Sequence, residues 1–212
     1  MNKNLKIKVC GMRDKENIRQ LCELAPDFIG FIFYPKSKRY VGDKIDNAIL
    51  NTIPESIQKT GVFVNEDIEK LKELVAINKL NAVQLHGDES PEYCSEIKKS
   101  DITTIKAFRV NNDFNFSLLE RYKKSIDYFL FDTYTEQYGG SGKKFNWEIL
   151  NNYDYVTPFF LSGGISIEDV NQIKLLKGLN IYALDINSKF EIEPALKDIN
   201  KVKTFINRIR NE

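Results

Sequence analysis

Histidine and cysteine are scarce in this chain of 212 residues, which holds one histidine, His86, and three cysteines, Cys10, Cys22 and Cys94. The cysteines form no C-x-x-C pair and their number is odd, which argues against a disulfide framework and, with a single histidine, against a metal site of the zinc type. An excess of charge of either sign is missing as well, since 31 basic residues meet 30 acidic ones for a net charge of +1. No global field then draws the chain to nucleic acid or to an anionic membrane, and an anionic partner has to be met locally. Long apolar runs are absent too. "FIGFIF" and "TPFFL" fall far short of the ~18 residues that read as a bilayer span. The start "MNKNLKIKV" shows no signal-peptide h-region, so a cytoplasmic protein without membrane contact is expected.

What the chain does contain is alternation. Eight short segments rich in β-branched and aromatic residues read as buried parallel strands: "LKIKVC" (5–10), "DFIGFIF" (27–33), "KTGVFV" (59–64), "NAVQL" (81–85), "TTIKAFR" (103–109), "DYFLFD" (127–132), "PFFLS" (158–162) and "IYALD" (181–185). Helical patterns lie between them: "NIRQLCEL", "DIEKLKELVAI", "SPEYCSEIKK", "SIEDVNQIKLL" and "DINKVKTFINRI", with weaker ones near 44–52, 116–123 and 146–150. Asn65, Ser90 and Ser166 stand where N-caps belong, with acids in the turn that follows. In the second pattern Ile68, Leu71, Leu74, Val75 and Ile77 mark one apolar face. Cys22 and Cys94 fall inside helical patterns, where each reads as a small packed hydrophobe.

Eight strand–helix units without a linker or composition break predict one domain over 1–212, an α/β protein folded as a single (β/α)8 TIM barrel of parallel strands. An open doubly wound sheet is the alternative. It would carry a glycine-rich turn after the first strand, whereas "CGMRDKEN" has one glycine and no G-x-G-x-x-G.

A barrel of this kind works at the C-terminal ends of its strands. Those ends carry Cys10, the basic run "YPKSKRY", the stretch "HGDE" with His86, Asp132, "SGG", and "DINSK". In "SGGIS", Gly163 and Gly164 let backbone N–H groups approach an anion closely, though they also suit a plain tight turn. The turn with Asn187 and Ser188 can complete such a phosphate site. "GGSGKK" is not a P-loop, because Gln137 stands where the first glycine is needed and Lys144 where Ser or Thr is; it reads as a loop over the site, with Lys143 facing the anion. Arg39 is the member of the basic run best suited to grip a carboxylate. His86 suits an acid or base at neutral pH, or a hydrogen bond within its loop.

Taken in order, "KVCGMR", "GFIFYPKSKRYV", "GVFVN", "VQLHGDE", "DTYTEQYGGSGKKFNW" and "LSGGI" resemble the phosphoribosylanthranilate isomerases of tryptophan biosynthesis nearly end to end. The resemblance implies an Amadori rearrangement of a phosphosugar, an aminoaldose becoming an aminoketose, with no cofactor. It assigns Cys10 as general base and Asp132 as general acid, Arg39 to the anthranilate carboxylate, and Gly163, Gly164, Asn187 and Ser188 to the phosphate. Asp185 then meets a polar group of the substrate, and His86 joins the substrate-contacting set. A free thiol titrates near ~8.5, so a cysteine base has to be partly ionised by its surroundings.

The last strand departs from the family pattern, which reads Asp-x-Ser-Ser-Gly-x-Glu. Here "DINSKFE" keeps Asp185, Ser188 and Glu191 but places Asn187 and Lys189 at the other two positions. The rivals are another phosphosugar aminoaldose isomerase, which would carry aspartate at Cys10, and a barrel that binds phosphate without turnover. Indole-glycerol-phosphate synthase would need lysines inside the barrel, and only Lys8 and Lys106 fall within strands. Association with other tryptophan-pathway enzymes is left open by the sequence.

Overall fold

The computed structural model describes residues 5–133, 146–153 and 156–211. Eight parallel strands close on themselves in sequence order: β1 (Lys6–Cys10), β2 (Phe28–Ile32), β3 (Gln58–Phe63), β4 (Ala82–Leu85), β5 (Thr103–Val110), β6 (Tyr128–Thr133), β7 (Phe159–Leu161) and β8 (Ile181–Ile186). Each lies within two residues of its expected bounds. The pairing of β1 with β8, with Lys6 opposite Ala183 and Lys8 opposite Asp185, makes the sheet a closed barrel and rules out the open alternative.

The two-residue period of a strand divides the apolar residues between two cores. Phe28, Ile105, Ala107, Leu130, Phe160 and Ala183 fill the barrel interior. Their strand neighbours, among them Ile7, Val9, Ile29, Phe31, Phe129 and Phe131, pack outward against the surrounding helices. Helix α1 (Lys15–Glu23) starts at Asp14, whose side chain accepts the Asn17 N–H, and α4 (Pro91–Lys98) starts at Ser90, as the sequence indicates. Around them stand α2 (Asn47–Leu50), α3 (Ile68–Ile77), α5 (Val170–Leu175) and α6 (Ile199–Asn211).

Three local expectations change. Asn65 does not cap α3; Asp67 does, accepting the N–H groups of Glu69 and Lys70 at 3.0 Å. Asn65 adopts a left-handed φ of 51°, which frees its Oδ1 to accept the Asp88 N–H at 2.7 Å and tie the loop after β3 to the loop after β4. Ile77 lies off the buried face of α3 and is 38% exposed. The weak patterns after β5 and β6 become 3-10 turns, Phe116–Tyr122 and Trp147–Asn152. Ser166 does act at a start, as half of a capping box with Asp169.

Beyond β8 the chain makes a 3-10 turn, Ser188–Phe190, and then a small antiparallel pair, β9 (Glu191–Glu193) with β10 (Leu196–Lys197). This pair is absent from the sequence-based expectation, and it delivers two charged side chains to the barrel mouth. No helix among the described residues is long and apolar enough to cross a membrane.

Candidate active site

Cys10, Arg39, His86, Asp132, Gly163, Gly164, Asp185, Asn187 and Ser188 all line one cavity at the C-terminal end of the barrel. They come from strands or loops on several sides of the ring, which only barrel closure brings together. "GGSGKK" and Lys143 lie outside the described residues. Among the described residues no group of three His, Cys, Asp or Glu side chains gathers to hold a metal.

Cys10 ends β1 with its side chain pointing into the barrel, on the same face as Lys8 two residues earlier. It is 4% exposed. Burial pushes its thiol up from the ordinary value, while the charges of Lys8 and Lys197 pull the other way without cancelling the shift. In the resting site burial is thus the stronger influence on the thiol, set against two nearby ammonium groups. The residue after it, Gly11, has φ 77°, and a Cβ there would sit 2.7 Å from Arg39 Cδ and 2.9 Å from Asn187 Oδ1. Only glycine lets the three loops meet this closely.

Arg39 is held in place before any ligand arrives. Glu191 takes its Nε and Nη2 edge, with the closest approach 2.6 Å from Nη2 to Oε2. Glu191 leaves the Nη1 side of the guanidinium untouched. Lys197, on β10, donates to Glu191 Oε1 at 2.6 Å and to Asn187 Oδ1 at 2.8 Å. Because the ammonium donates to the Asn187 oxygen, the amide NH2 is the end left to donate elsewhere.

Asp185 is 5% exposed and pairs with the fully buried Lys8 at 2.9 Å. Its second oxygen, Oδ1, is buried without a hydrogen-bond partner, an acceptor unmet by protein on the floor of the cavity. His86 Nε2 stands 3.4 Å from Asp132 Oδ2, and Asp132 Oδ1 accepts the Thr133 N–H at 2.8 Å. The loop carrying His86 is pinned from below by Lys106, which points outward from β5 and reaches the carbonyls of Leu85 and Gly87 and the carboxylate of Glu89.

The end of the cavity expected to take an anion lies at β7 and β8. Gly163 and Gly164 both take positive φ, 93° and 68°, and a Cβ on Gly163 would press within 2.8 Å of the Thr133 backbone nitrogen. Lys189 is exposed in its 3-10 turn and is not among the residues with positive φ, so the turn does not call on the freedom that a glycine there would supply. Opposite, Ile32, Val62 and Val64 give the cavity an apolar wall beside Arg39.

The sequence reading missed Lys8, Gln84 and Lys197 as members of this site. The first two were legible in principle, since period-two alternation puts Lys8 on the face of Cys10 and Gln84 on the face of His86. Lys197 was not, because nothing local announces that a hairpin after β8 folds back over the mouth.

Comparison with known proteins gives consistent results. The family described as N-(5'-phosphoribosyl)anthranilate (PRA) isomerase matches residues 7–208. A protein of Parabacteroides distasonis named N-(5'-phosphoribosyl)anthranilate isomerase is 47% identical over 205 residues, covering 96% of this chain and 92% of that protein. The crystal structure of phosphoribosyl anthranilate isomerase from Thermotoga maritima superposes with a TM-score of 0.86 at 35% identity, over 98% of this chain and 100% of that one. A further phosphoribosyl anthranilate isomerase, solved in complex with reduced 1-(o-carboxyphenylamino)-1-deoxyribulose 5-phosphate, is similar at 31% identity and a TM-score of 0.82, over 98% of this chain and 100% of that one.

Proposed function

The chain belongs to the N-(5'-phosphoribosyl)anthranilate isomerase family, and from that premise we propose how its own residues carry the reaction. The reaction is the Amadori rearrangement of N-(5-phosphoribosyl)anthranilate to 1-(2-carboxyphenylamino)-1-deoxyribulose 5-phosphate, a step of tryptophan biosynthesis. It needs two proton transfers at opposite sides of one sugar, and the cavity supplies one group for each.

Asp132 gives its proton to the furanose ring oxygen as the bond from that oxygen to C1 breaks, leaving an iminium at the anthranilate nitrogen. The positive nitrogen makes the C2 proton acidic. Cys10 removes it once its thiol is ionised, a state that the nearby ammonium groups of Lys8 and Lys197 favour against burial, and the electron pair of the C2–H bond forms the C1–C2 double bond of an enolamine. Loss of the C2 hydroxyl proton and protonation at C1 then give the ketone. The observation that carries these roles is placement: Cys10 on β1 and Asp132 on β6 are three strands apart around the ring, yet both line the same cavity. An acid and a base so placed reach a bound sugar from different sides.

The two ends of the cavity match the two ends of the substrate. Arg39 and the wall of Ile32, Val62 and Val64 suit an aromatic ring that bears a carboxylate. The backbone at Gly163 and Gly164, with the amide of Asn187 and the Ser188 turn, suits the phosphate. The free oxygen of Asp185 accepts a sugar hydroxyl.

To test the activity, phosphoribosylanthranilate is generated in situ and loss of its anthranilate-type fluorescence is followed with and without the purified chain. Acceleration is expected. Folded protein that binds inorganic phosphate but gives no acceleration would instead support the barrel that binds without turnover.

A further inference from the structure

A file of polar side chains crosses the barrel interior beneath the substrate cavity. Lys8 Nζ lies 2.9 Å from Asp185 Oδ2 and 2.6 Å from Gln84 Oε1. Gln84 Nε2 lies 2.7 Å from His86 Nδ1, and His86 Nε2 faces Asp132 Oδ2 at 3.4 Å. Lys8 is fully buried and Gln84 only 1% exposed, so water does not compete for their hydrogen bonds.

The direction of each bond follows from what its groups can do. Lys8 is an ammonium: burial opposes the charge, but the carboxylate of Asp185 at 2.9 Å outweighs it and holds the lysine above its ordinary value. An ammonium donates and never accepts, so the Gln84 atom beside it has to be the oxygen. The NH2 end of the same amide then points at His86 Nδ1 and donates to it. A nitrogen that accepts a hydrogen bond carries no proton of its own, so the proton of the neutral ring sits on Nε2, the nitrogen turned toward Asp132. With Lys8 absent, the amide could rotate and present its oxygen, and the opposite tautomer would become available.

We propose that Lys8 and Gln84 are positioning residues that fix His86 as the Nε2–H tautomer, so that an N–H donor and not a lone pair faces the carboxyl group of Asp132. The Thr133 backbone N–H bonds Oδ1, and an N–H of His86 standing 3.4 Å from Oδ2 cannot take up the acid's proton as a ring lone pair there would, which leaves that proton for the sugar. The assignment rests on the role given above to Asp132, but the tautomer itself is a property of the resting protein.

His86 is the sole histidine, so protein labelled with 15N-histidine shows one pair of ring nitrogens, and long-range 1H–15N correlation spectra identify the tautomer without any mutation. At about pH 8 the wild type is expected to show a protonated Nε2 and an unprotonated Nδ1. In Gln84→Glu a carboxylate replaces the donating amide, and the proton is expected to move onto Nδ1. Turnover of that variant should fall by roughly tenfold to a hundredfold, with KM within about twofold, because a ring lone pair that takes the acid's proton slows proton delivery more than binding. A wild-type ring protonated on Nδ1 overturns the proposal, as does a Gln84→Glu spectrum unchanged from wild type, or a shifted tautomer with unchanged turnover. If instead the wild type shows the expected tautomer but no isomerase activity, the failure lies with the proposed function and not with the positioning chain.

Discussion

Glu191 grips Arg39 along one edge, with Nε 2.8 and 3.1 Å from its two oxygens and Nη2 2.6 Å from one of them. Lys197 shares the same carboxylate at 2.6 Å. One acid therefore positions two cations at the mouth of the barrel. Burial opposes its charge, yet Arg39 and Lys197 prevail and hold the Glu191 carboxyl below its ordinary value.

A lowered folded-state value stabilises the protein above the unfolded glutamate range, near ~4.3, and that contribution is lost as pH falls through the folded value. Glu191→Gln is accordingly expected to lower stability at neutral pH by about 3 kcal/mol, since it leaves the buried Lys197 and the partly buried Arg39 without their counter-ion. The gap to wild type should close only below the ordinary glutamate range, as pH falls through the lowered folded value. Urea unfolding of both proteins at the two pH values measures it; a gap that stays constant with pH would contradict the assigned ion pair.

Cys10→Ala and Asp132→Asn are each expected to reduce turnover by about 10²- to 10⁴-fold, the usual worth of a positioned acid or base. Affinity for the substrate should change little, because both groups move protons and do not hold the ligand. Single-turnover kinetics with a separate binding measurement checks the split. Near-normal turnover in either variant would remove that residue from its role.

Because burial raises the thiol of Cys10, its alkylation by iodoacetamide should be slower than that of free cysteine at neutral pH and should climb through the alkaline range, with a midpoint above ~8.5. Removing a positive charge raises it further, so Lys197→Met is expected to move the midpoint up again. Peptide mass spectrometry separates Cys10 from Cys22 and Cys94. A midpoint below that of free cysteine would show that the two lysines win over burial.

Gly163→Ala places a methyl group against Thr133 at a φ of 93°, a strain of about 1–3 kcal/mol for a residue with a Cβ. The expected result is at least a roughly tenfold rise in the inhibition constant of inorganic phosphate, with the barrel still folded by circular dichroism. An unchanged constant would place the anion elsewhere.

The barrel was legible because its signal is repetitive: eight apolar runs of similar length, each followed by a turn and a polar segment, leave little choice of architecture. The rim residues followed from position alone, since Cys10 and Asp132 are the polar residues at which apolar runs stop. Less was legible where a contact joins distant segments. Asn65 reads as a cap because the acids follow it, and only its bond to Asp88 across a separate loop explains the left-handed backbone it adopts. The thiol's burial was invisible for a similar reason, being a property of the assembled mouth and not of "KVCGMR". Lys8 was taken merely as a lysine in a strand, although its two-residue offset from Cys10 already turned it inward.

The pair formed by Lys8 and Asp185 joins residues 177 positions apart, near the two ends of the barrel. On a ribosome adding about 5–20 residues per second, Lys8 waits roughly 10–35 seconds for its counter-ion to be made. Until then β1 has no second neighbour and its inward lysine has no carboxylate. A chain that stops before β8 therefore leaves the lysine's charge without its counter-ion, which sets the synthesis of β8 as the point at which the barrel interior first balances its charges.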